Sequence, residues 1–234
     1  MRRIIPAMVL LMISILCPVE RARAGAMTFD RSQWMTGDMN EQTPADSAGT
    51  SSNSHVDHFY YYERIPMCLP IIDDSLAAGS SSRTYDSAVL ALVVAASGLT
   101  GSDLMQIFGK RITRPWSENG VSWTYHHASP DSAWTASGGD MDNLPCMDTV
   151  LVDASAAAYD TLYFHLDTGF VRAMIEEVNF GWLMMAENIV DRATFQLFTE
   201  DATSEDRRPT LTVYYSDGDS EAVRSFRRRR MRGE

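Results

Sequence analysis

The sequence predicts an all-β protein, an antiparallel β-sandwich with one short helix, and three features lead to this prediction. The chain has 234 residues, 45% of them hydrophobic, which suits the core of one sandwich or barrel domain. Short apolar or alternating segments are separated by turn residues such as Gly, Pro and Asn. One segment alone has helical periodicity, and strands do not alternate with helices as in a parallel-sheet protein.

The individual strands follow from residue type and period-two alternation. Ser87 to Ala96 is a nearly continuous apolar run, typical of a strand buried on both faces, although its alanines also allow a helix. In 161–167 the three apolar residues share one face, and Tyr163 and His165 share the opposite face. The other predicted strands are 58–64, 68–72, 104–112, 121–127, 149–153, 181–187, 194–199 and 210–215.

One segment has the apolar spacing of a helix. Its apolar residues recur at i, i+3, i+4 and i+7: Val171, Met174, Ile175 and Val178. We therefore predict a short amphipathic helix over 170–178, with its apolar stripe lying over the end of the sheets.

The N-terminal residues have the layout of a secretory signal. Arg2 and Arg3 precede an apolar run over 4–16, and the A-x-A pattern at 22–24 is typical of a cleavage site. We predict a signal peptide over 1–24 and a secreted or cell-surface protein, with an uncleaved anchor as the alternative. No other segment approaches the ~18 apolar residues of a membrane span, so the mature chain is predicted to have no stable one.

Three further regions follow the predicted signal. Residues 25–57 are rich in small polar residues and are predicted to be a flexible leader, although Phe29 and Trp34 could pin its start onto the domain. Residues 58–216 form the predicted sandwich, and 217–234 a disordered basic tail. Because both ends are net basic, the body is more acidic than the overall charge of −11 indicates, and nucleic acid is not an expected partner.

Six motifs occur in a fixed order along 58–215. They are DSAVLALVV (86–94), RPWSENGVSW (114–123), WTASGGD (134–140), LYFHLD (162–167), NFGWLM (179–184) and RRPTLTVYY (207–215). In order and spacing they resemble the DNRLRE domain family, which is similar to alginate-type carbohydrate-binding modules. The resemblance implies a jelly-roll sandwich and a non-catalytic extracellular module found beside polysaccharide-degrading or adhesive domains.

Aromatic residues are the candidate ligand-binding groups, because aromatic faces stack on sugar rings. Trp116, Trp123, Tyr125 and Trp134 are the candidates, and a polysaccharide or cell-surface glycan is the candidate partner. The alternative is that these tryptophans fill the core. Trp116 follows Pro115 in a predicted loop and is expected to be the most exposed of them.

Two further sets of residues have more than one interpretation. Asp140, Asp142 and Asn143 offer oxygen ligands for a structural calcium ion, or they form a turn whose carboxylates bind local amides. Cys68 and Cys146 form a disulfide in an oxidising compartment, or they are two separated buried thiols. No cofactor is required by the predicted function.

No complete catalytic constellation is present in the sequence. His126 and His127 are adjacent on a predicted strand and are expected to point to opposite faces. The G-x-S-x-G, H-E-x-x-H and phosphate-loop motifs are absent. The sequence therefore predicts a non-enzymatic carbohydrate-binding or adhesion module. The alternatives are a structural cell-surface or matrix protein without glycan binding, and a polysaccharide lyase or hydrolase.

Overall fold

The computed structural model describes residues 23–29, 34–37, 39–41, 53–55, 57–58, 62–68, 83–127, 132–177, 179–188 and 194–217. Within these ranges the chain forms two antiparallel sheets and one short α-helix, which confirms the predicted all-β sandwich. The strands are β1 Arg23–Phe29, β2 Met35–Thr36, β3 Met39–Asn40, β4 Asn53–His55, β5 Asp57–His58, β6 Tyr62–Cys68, β7 Arg83–Ser97, β8 Leu104–Ile112, β9 Met141–Pro145, β10 Val150–Asp153, β11 Thr161–Leu166, β12 Trp182–Asn188, β13 Phe195–Phe198 and β14 Thr210–Asp217. The helix α1 spans Thr168–Glu176.

The six-stranded sheet is built around β7. Its order is β1-β14-β7-β13-β4, and β11 also pairs with β7. Residues 88–91 of β7 pair with both β11 and β14, so these two strands lie on opposite sides of β7. β7 lies in the middle of this sheet, but its two faces differ: Leu90 and Leu92 lie in the main core, whereas Val89 and Ala91 are half-buried on the outer face. The expectation of a strand buried on both faces is therefore wrong for the outer face.

The eight-stranded sheet is built around β8 and β12. Its order is β10-β8-β12-β6-β2, with β9 paired to β8 and with β3 and β5 paired to β6. The main core lies between the two sheets. Its largest fully buried side chains come from both layers, and they include Leu90, Leu92, Met105, Ile107, Phe164, Trp182 and Phe195.

A second apolar cluster lies on the other face of the eight-stranded sheet. Leu183 belongs to it, whereas its neighbours Trp182 and Met184 in β12 point into the main core. Alternation along a strand therefore places the second cluster on the outer face. The buried members of this outer cluster are Met39, Cys68, Ile112, Trp116, Val121, Trp123, Trp134 and Leu183.

The helix α1 closes one end of the main core, and it begins two residues before the predicted start. The carboxylate of Asp167 accepts a 2.9 Å hydrogen bond from the amide of Phe170, which caps the first turn. The apolar side is buried as the i, i+3, i+4 pattern indicates, through Phe170, Val171, Met174 and Ile175. The predicted position of Val178 lies outside the described residues.

The described part of 25–57 is not a flexible leader. β1 pairs with β14 along its whole length, from Arg23 opposite Asp217 to Phe29 opposite Leu211. Phe29 and Trp34 are buried in the main core. The small polar residues of this region predict a flexible segment, but its described parts form short strands that pair with β6, β13 and β14.

Several predictions fall outside the described residues. These are most of the predicted signal peptide, residues 1–22, and all of the basic tail beyond Asp217. Among the described residues, no helix has the length and apolar character needed to cross a membrane.

The segment 113–140 differs most from its prediction. A strand was expected over 121–127, but the structure has a single bridge there, between Tyr125 and Ala133. The other described residues of this segment, within 113–127 and 132–140, form an irregular loop held by backbone hydrogen bonds, such as the 2.9 Å bond from the amide of His126 to the carbonyl of Ser132. This loop covers the outer face of the eight-stranded sheet.

Candidate functional site

The tryptophans predicted as a stacking platform are buried. Trp116, Trp123 and Trp134 are 6%, 8% and 6% exposed and belong to the outer cluster. Trp116 also donates a 2.8 Å hydrogen bond from Nε1 to the carbonyl of Phe180. The expectation that Trp116 faces solvent is therefore wrong, and the core alternative describes all three rings. Tyr125, the fourth candidate, is half-buried.

Asp140 makes local contacts of the kind that the turn alternative predicts. Its carboxylate accepts hydrogen bonds of 3.1 and 3.0 Å from the amides of Thr135 and Ala136, and it pairs with Arg114 at 3.0 Å. Burial acts to raise the pKa of Asp140, but the two amides and the guanidinium outweigh it and lower the pKa. This carboxylate is therefore ionised and satisfied by the protein itself.

The other two predicted calcium ligands, Asp142 and Asn143, are exposed on β9. They line a cavity of about 540 Å³ together with Asp167, whose carboxylate caps α1. Asp140 therefore has the contacts of the turn alternative, whereas Asp142 and Asn143 are open to solvent.

Cys68 and Cys146 are free thiols. Cys68 belongs to the outer cluster, whereas Cys146 lies in the main core, where its Sγ is 3.4 Å from the carbonyl of Gly109. Because the two clusters lie on opposite faces of the eight-stranded sheet, the structure has the separated thiols and not the disulfide. Burial raises the pKa of each thiol to about 12, so both are protonated and unreactive at neutral pH.

The two adjacent histidines lie together and not on opposite faces. The ring centroids of His126 and His127 are 4.6 Å apart, because the loop around Tyr125 is not an extended strand. Burial, followed by the neighbouring His127 and Arg114, lowers the pKa of His126. The imidazole of His126 is accordingly neutral at neutral pH, and it packs 5.4 Å from the ring of Trp134.

Three carboxyl groups from distant segments meet beside β2. Carboxylate oxygens of Glu118, Glu200 and Asp201 lie within 4.8 Å of one another. Glu200 is buried and accepts hydrogen bonds from the amide of Thr36, at 2.9 Å, and from its hydroxyl. Burial, a hydrogen bond with Glu200 and the charges of Glu200 and Asp201 together raise the pKa of Glu118 to about 7. A proton shared by Glu118 and Glu200 thus joins the tryptophan-bearing loop to the segment after β13.

A groove of about 370 Å³ lies on the outer face of the six-stranded sheet. Its floor consists of Val89, Ala91 and Val93 of β7, which alternate with Leu90 and Leu92 of the main core. Because these floor residues are short and apolar, the middle of the groove is flat enough to accept a planar or ring-shaped ligand.

Two exposed tyrosines stand beside this floor, one on each side of β7. Tyr163 of β11 is 59% exposed and lies opposite Ala91, whereas Tyr214 of β14 is 45% exposed and lies opposite Ser87. The register shifts directly after Tyr214, a bulge of the kind that can redirect a side chain at a sheet surface. Each tyrosine presents an apolar ring and a phenolic hydroxyl to a ligand.

Hydroxyl groups line the strands on both sides of the floor. Thr161 of β11 and Thr210 and Thr212 of β14 line the groove. The hydroxyl oxygen of Thr28 in β1 lies 3.2 Å from that of Thr212, which extends the polar row toward the edge of the sheet. Each hydroxyl can donate one hydrogen bond and accept others, so this surface suits a ligand rich in hydroxyls.

One end of the groove is bounded by the segment that precedes β14. Glu205, Asp206 and Arg208 line the groove at this end, which we call the wall. A 2.6 Å hydrogen bond from the hydroxyl of Ser204 lowers the pKa of Asp206. Asp206 is therefore an ionised acceptor for ligand hydroxyls, and it does not have the raised pKa that a general acid needs at neutral pH.

The wall is held in place by stacked side chains. The guanidinium carbon of Arg207 lies 4.3 Å from the ring centroid of Tyr159 and 5.5 Å from that of Phe198. These two rings are themselves stacked, with centroids 6.1 Å apart. Tyr159 has a φ of 76°, an uncommon conformation for a bulky residue, and its amide donates a 2.7 Å bond to the carbonyl of Val94. The contacts fix the loop before β11 against the wall.

Two larger cavities, each of about 540 Å³, have less suitable linings. The cavity between Arg64 and Asp140 lies over the tryptophan-bearing loop, and Arg64 donates a 2.5 Å hydrogen bond to the carbonyl of Gly138. The other is the cavity beside α1, whose aromatic member Phe170 is buried. Of these three cavities, the groove on the six-stranded sheet is the one with exposed aromatic rings.

The groove could have been found from the sequence, although tryptophan content pointed elsewhere. The alternation in 161–167 already placed Tyr163 and His165 away from the core. In 210–215 the apolar residues Leu211 and Val213 alternate with polar ones, so Tyr214 faces outward. What the sequence could not indicate is that β11 and β14 are both neighbours of β7, because pairing depends on the whole topology.

A comparison with protein-family models and with curated protein sequences finds no match to this chain. The function is therefore argued from the geometry of the groove.

Proposed function

We propose that this protein is a secreted, non-catalytic module that binds a glycan in the groove on the six-stranded sheet. The observation that carries the proposal is the pair of exposed rings, Tyr163 and Tyr214, on either side of a flat apolar floor. Stacking of sugar rings on tyrosine faces and hydrogen bonding of sugar hydroxyls to threonine and carboxylate oxygens would supply affinity and orientation.

The resemblance to the DNRLRE family leads to the same proposal from the sequence. Three of the motifs that carry it supply residues of the groove: 86–94 the floor, 162–167 the ring of Tyr163, and 207–215 the ring of Tyr214. The residues that we propose to bind sugar thus replace the tryptophans predicted from composition. On this proposal the module belongs with adhesive or polysaccharide-bound proteins outside the cell.

The charges near the groove favour an uncharged glycan. Glu205, Asp206 and Arg208 line its wall, which leaves the wall net negative, and the chain carries a formal net charge of −11. A carboxylated or sulfated glycan would be repelled by both, whereas a neutral glycan would use the carboxylates as hydrogen-bond acceptors. No cofactor is part of this proposal, so we expect binding to be unchanged when EDTA removes divalent cations.

A glycan array probed with the folded protein tests the proposal directly. We expect binding to at least one neutral polysaccharide, and we expect Tyr163→Ala and Tyr214→Ala each to weaken it about tenfold, which corresponds to about 1.4 kcal/mol. Leu151→Ala is the matched control, because Leu151 is 57% exposed on the opposite sheet. We expect this control to bind like the unmodified protein.

Two results would overturn the proposal. One is a folded protein that binds no glycan, which would favour a structural surface protein. The other is glycan binding that is indifferent to both tyrosine substitutions, which would place the site elsewhere. Assays for reducing ends and for unsaturated products on each bound glycan address the lyase or hydrolase alternative, and we expect neither product to form.

A further inference from the structure

The two tyrosines of the groove are anchored in different rows of the six-stranded sheet. Tyr163 lies in the row of Ala91, and Tyr214 lies in the row of Ser87, four residues away along β7. Four residues of a strand span about 13 Å, and two strand spacings add about 10 Å across the sheet, so the two Cα atoms are about 16 Å apart on a diagonal. The two tyrosines are therefore far enough apart to form two subsites, each stacking on a different sugar of one glycan.

Only one of these subsites adjoins the wall. Thr210, the first residue of β14, lies opposite Ala91, in the same row as Tyr163. Glu205, Asp206 and Arg208 come directly before this strand and line the same end of the groove. Polar groups that can hold one sugar in place are thus concentrated around Tyr163, and the Tyr214 end carries the ring without the wall.

We propose that the groove recognises an internal stretch or an end of an extended glycan chain, with Tyr163 and the wall as the first subsite and Tyr214 as a distal subsite. This inference rests on the proposed glycan-binding function and adds a minimum chain length to it. The bound glycan crosses β11, β7 and β14 on a diagonal over Val89 and Ala91, beside the hydroxyl of Thr212. Short sugars occupy the first subsite alone, so the distal tyrosine contributes only to longer chains.

Calorimetric titration with neutral oligosaccharide ladders tests this arrangement. The probes are the cello-, xylo-, manno- and chito-oligosaccharides, each from the monosaccharide to the hexasaccharide, together with the parent polysaccharides. For the ladder that binds, we expect affinity to rise at least tenfold between the disaccharide and the hexasaccharide. We expect Tyr163→Ala to weaken binding at every length, and Tyr214→Ala to weaken binding of the longer members alone.

The conservative variants separate ring stacking from disturbance of the sheet. Tyr214→Phe keeps the ring, and we expect it to retain most of the hexasaccharide affinity that Tyr214→Ala loses. If the monosaccharide or disaccharide binds as tightly as the hexasaccharide, or if Tyr214→Ala weakens all lengths equally, the two-subsite inference is wrong while glycan binding stands. If no ladder and no parent polysaccharide binds the folded protein, the proposed function itself is wrong.

Discussion

The proton shared by Glu118 and Glu200 couples the stability of this protein to pH. The pKa of Glu118 is raised to about 7 in the folded protein, from an ordinary value of 4.5. A carboxyl group with a raised folded-state pKa stabilises the fold fully below its unfolded pKa, and this contribution is lost as pH rises from about 4.5 to about 7. The loss occurs because the ionised carboxylate of Glu118 is desolvated in the folded protein and is also repelled by Glu200 and Asp201.

Substitution of Glu118 by Gln should remove this dependence, because the amide can still donate a hydrogen bond to Glu200 and does not ionise. We expect the melting temperatures of the two proteins to agree near pH 4.5, and the variant to melt a few degrees higher at pH 8, since about 1 kcal/mol shifts Tm by about 2–4 °C in a protein of this size. Differential scanning calorimetry across this range measures the difference. Glu187→Gln, at an exposed position of β12, is the control. If the melting temperatures of Glu118→Gln and the unmodified protein differ by the same amount at pH 4.5 and at pH 8, the raised pKa of Glu118 is contradicted.

At the scale of single elements, the sequence predicts best the strands that keep one pattern of apolar residues along their whole length. β7, β11 and β14 were identified because apolar residues either run continuously or alternate, and the packing of a sandwich requires just that pattern. The alternation in β11 and β14 even indicated which side chains face outward. The groove itself could not be predicted, because its two exposed tyrosines come from strands that are distant in sequence.

The loop 113–140 shows where such pattern reasoning fails. Val121 and Trp123 alternate as in a strand, yet both are buried because the loop folds onto the outer face of the eight-stranded sheet. Trp134 Nε1 donates a 2.9 Å hydrogen bond to the carbonyl of Ser122, which fixes the loop without a strand partner. Contacts of this kind are tertiary, and local residue patterns do not encode them.

This loop is expected to contribute to stability and not to ligand affinity. Trp134→Ala should lower the free energy of unfolding by about 3–5 kcal/mol, since a large buried ring is removed from the outer cluster. Trp134→Phe keeps most of the volume and loses the hydrogen bond to Ser122, which should cost about 1–3 kcal/mol. Urea denaturation measures both changes.

The groove variant Tyr163→Ala provides the reverse comparison for these tryptophan variants. Tyr163 is exposed, so its removal should change the free energy of unfolding by at most about 0.5 kcal/mol while weakening glycan binding. Trp134→Phe should show the opposite pattern, with lower stability and unchanged affinity. If Trp134→Phe loses glycan affinity and keeps its full stability, the tryptophans belong to the ligand-binding site.

At the scale of the whole molecule, the two sheets differ in how their outer faces are used. The eight-stranded sheet has the main core on one face and the outer cluster on the other. The six-stranded sheet has the main core on one face and the groove on the other. A sheet buried on both faces is well suited to give rigidity, and a sheet with one open face can bind a ligand without disturbing the core. The position of the groove therefore follows from which sheet the loop 113–140 covers.

The N-terminal strand β1 stabilises the edge of the six-stranded sheet that carries the groove. β1 pairs with β14 over all seven of its residues, and β14 carries Tyr214, Thr210 and Thr212 of the groove. A protein lacking residues 1–22 keeps all of β1 and should fold and bind normally. A protein lacking residues 1–29 loses the buried ring of Phe29, which costs about 3–5 kcal/mol, and leaves the edge of β14 unpaired.

We expect the longer truncation to melt at a lower temperature, to associate through the open edge and to bind glycan more weakly, and the shorter one to match the full chain. Calorimetry, size-exclusion chromatography and titration with the binding oligosaccharide measure the three properties. Phe29→Ala in the full chain separates the two causes, because it removes the ring and leaves the strand pairing in place. If the protein without residues 1–29 has the same melting temperature and affinity as the one without residues 1–22, then β1 is dispensable, as expected for a flexible leader.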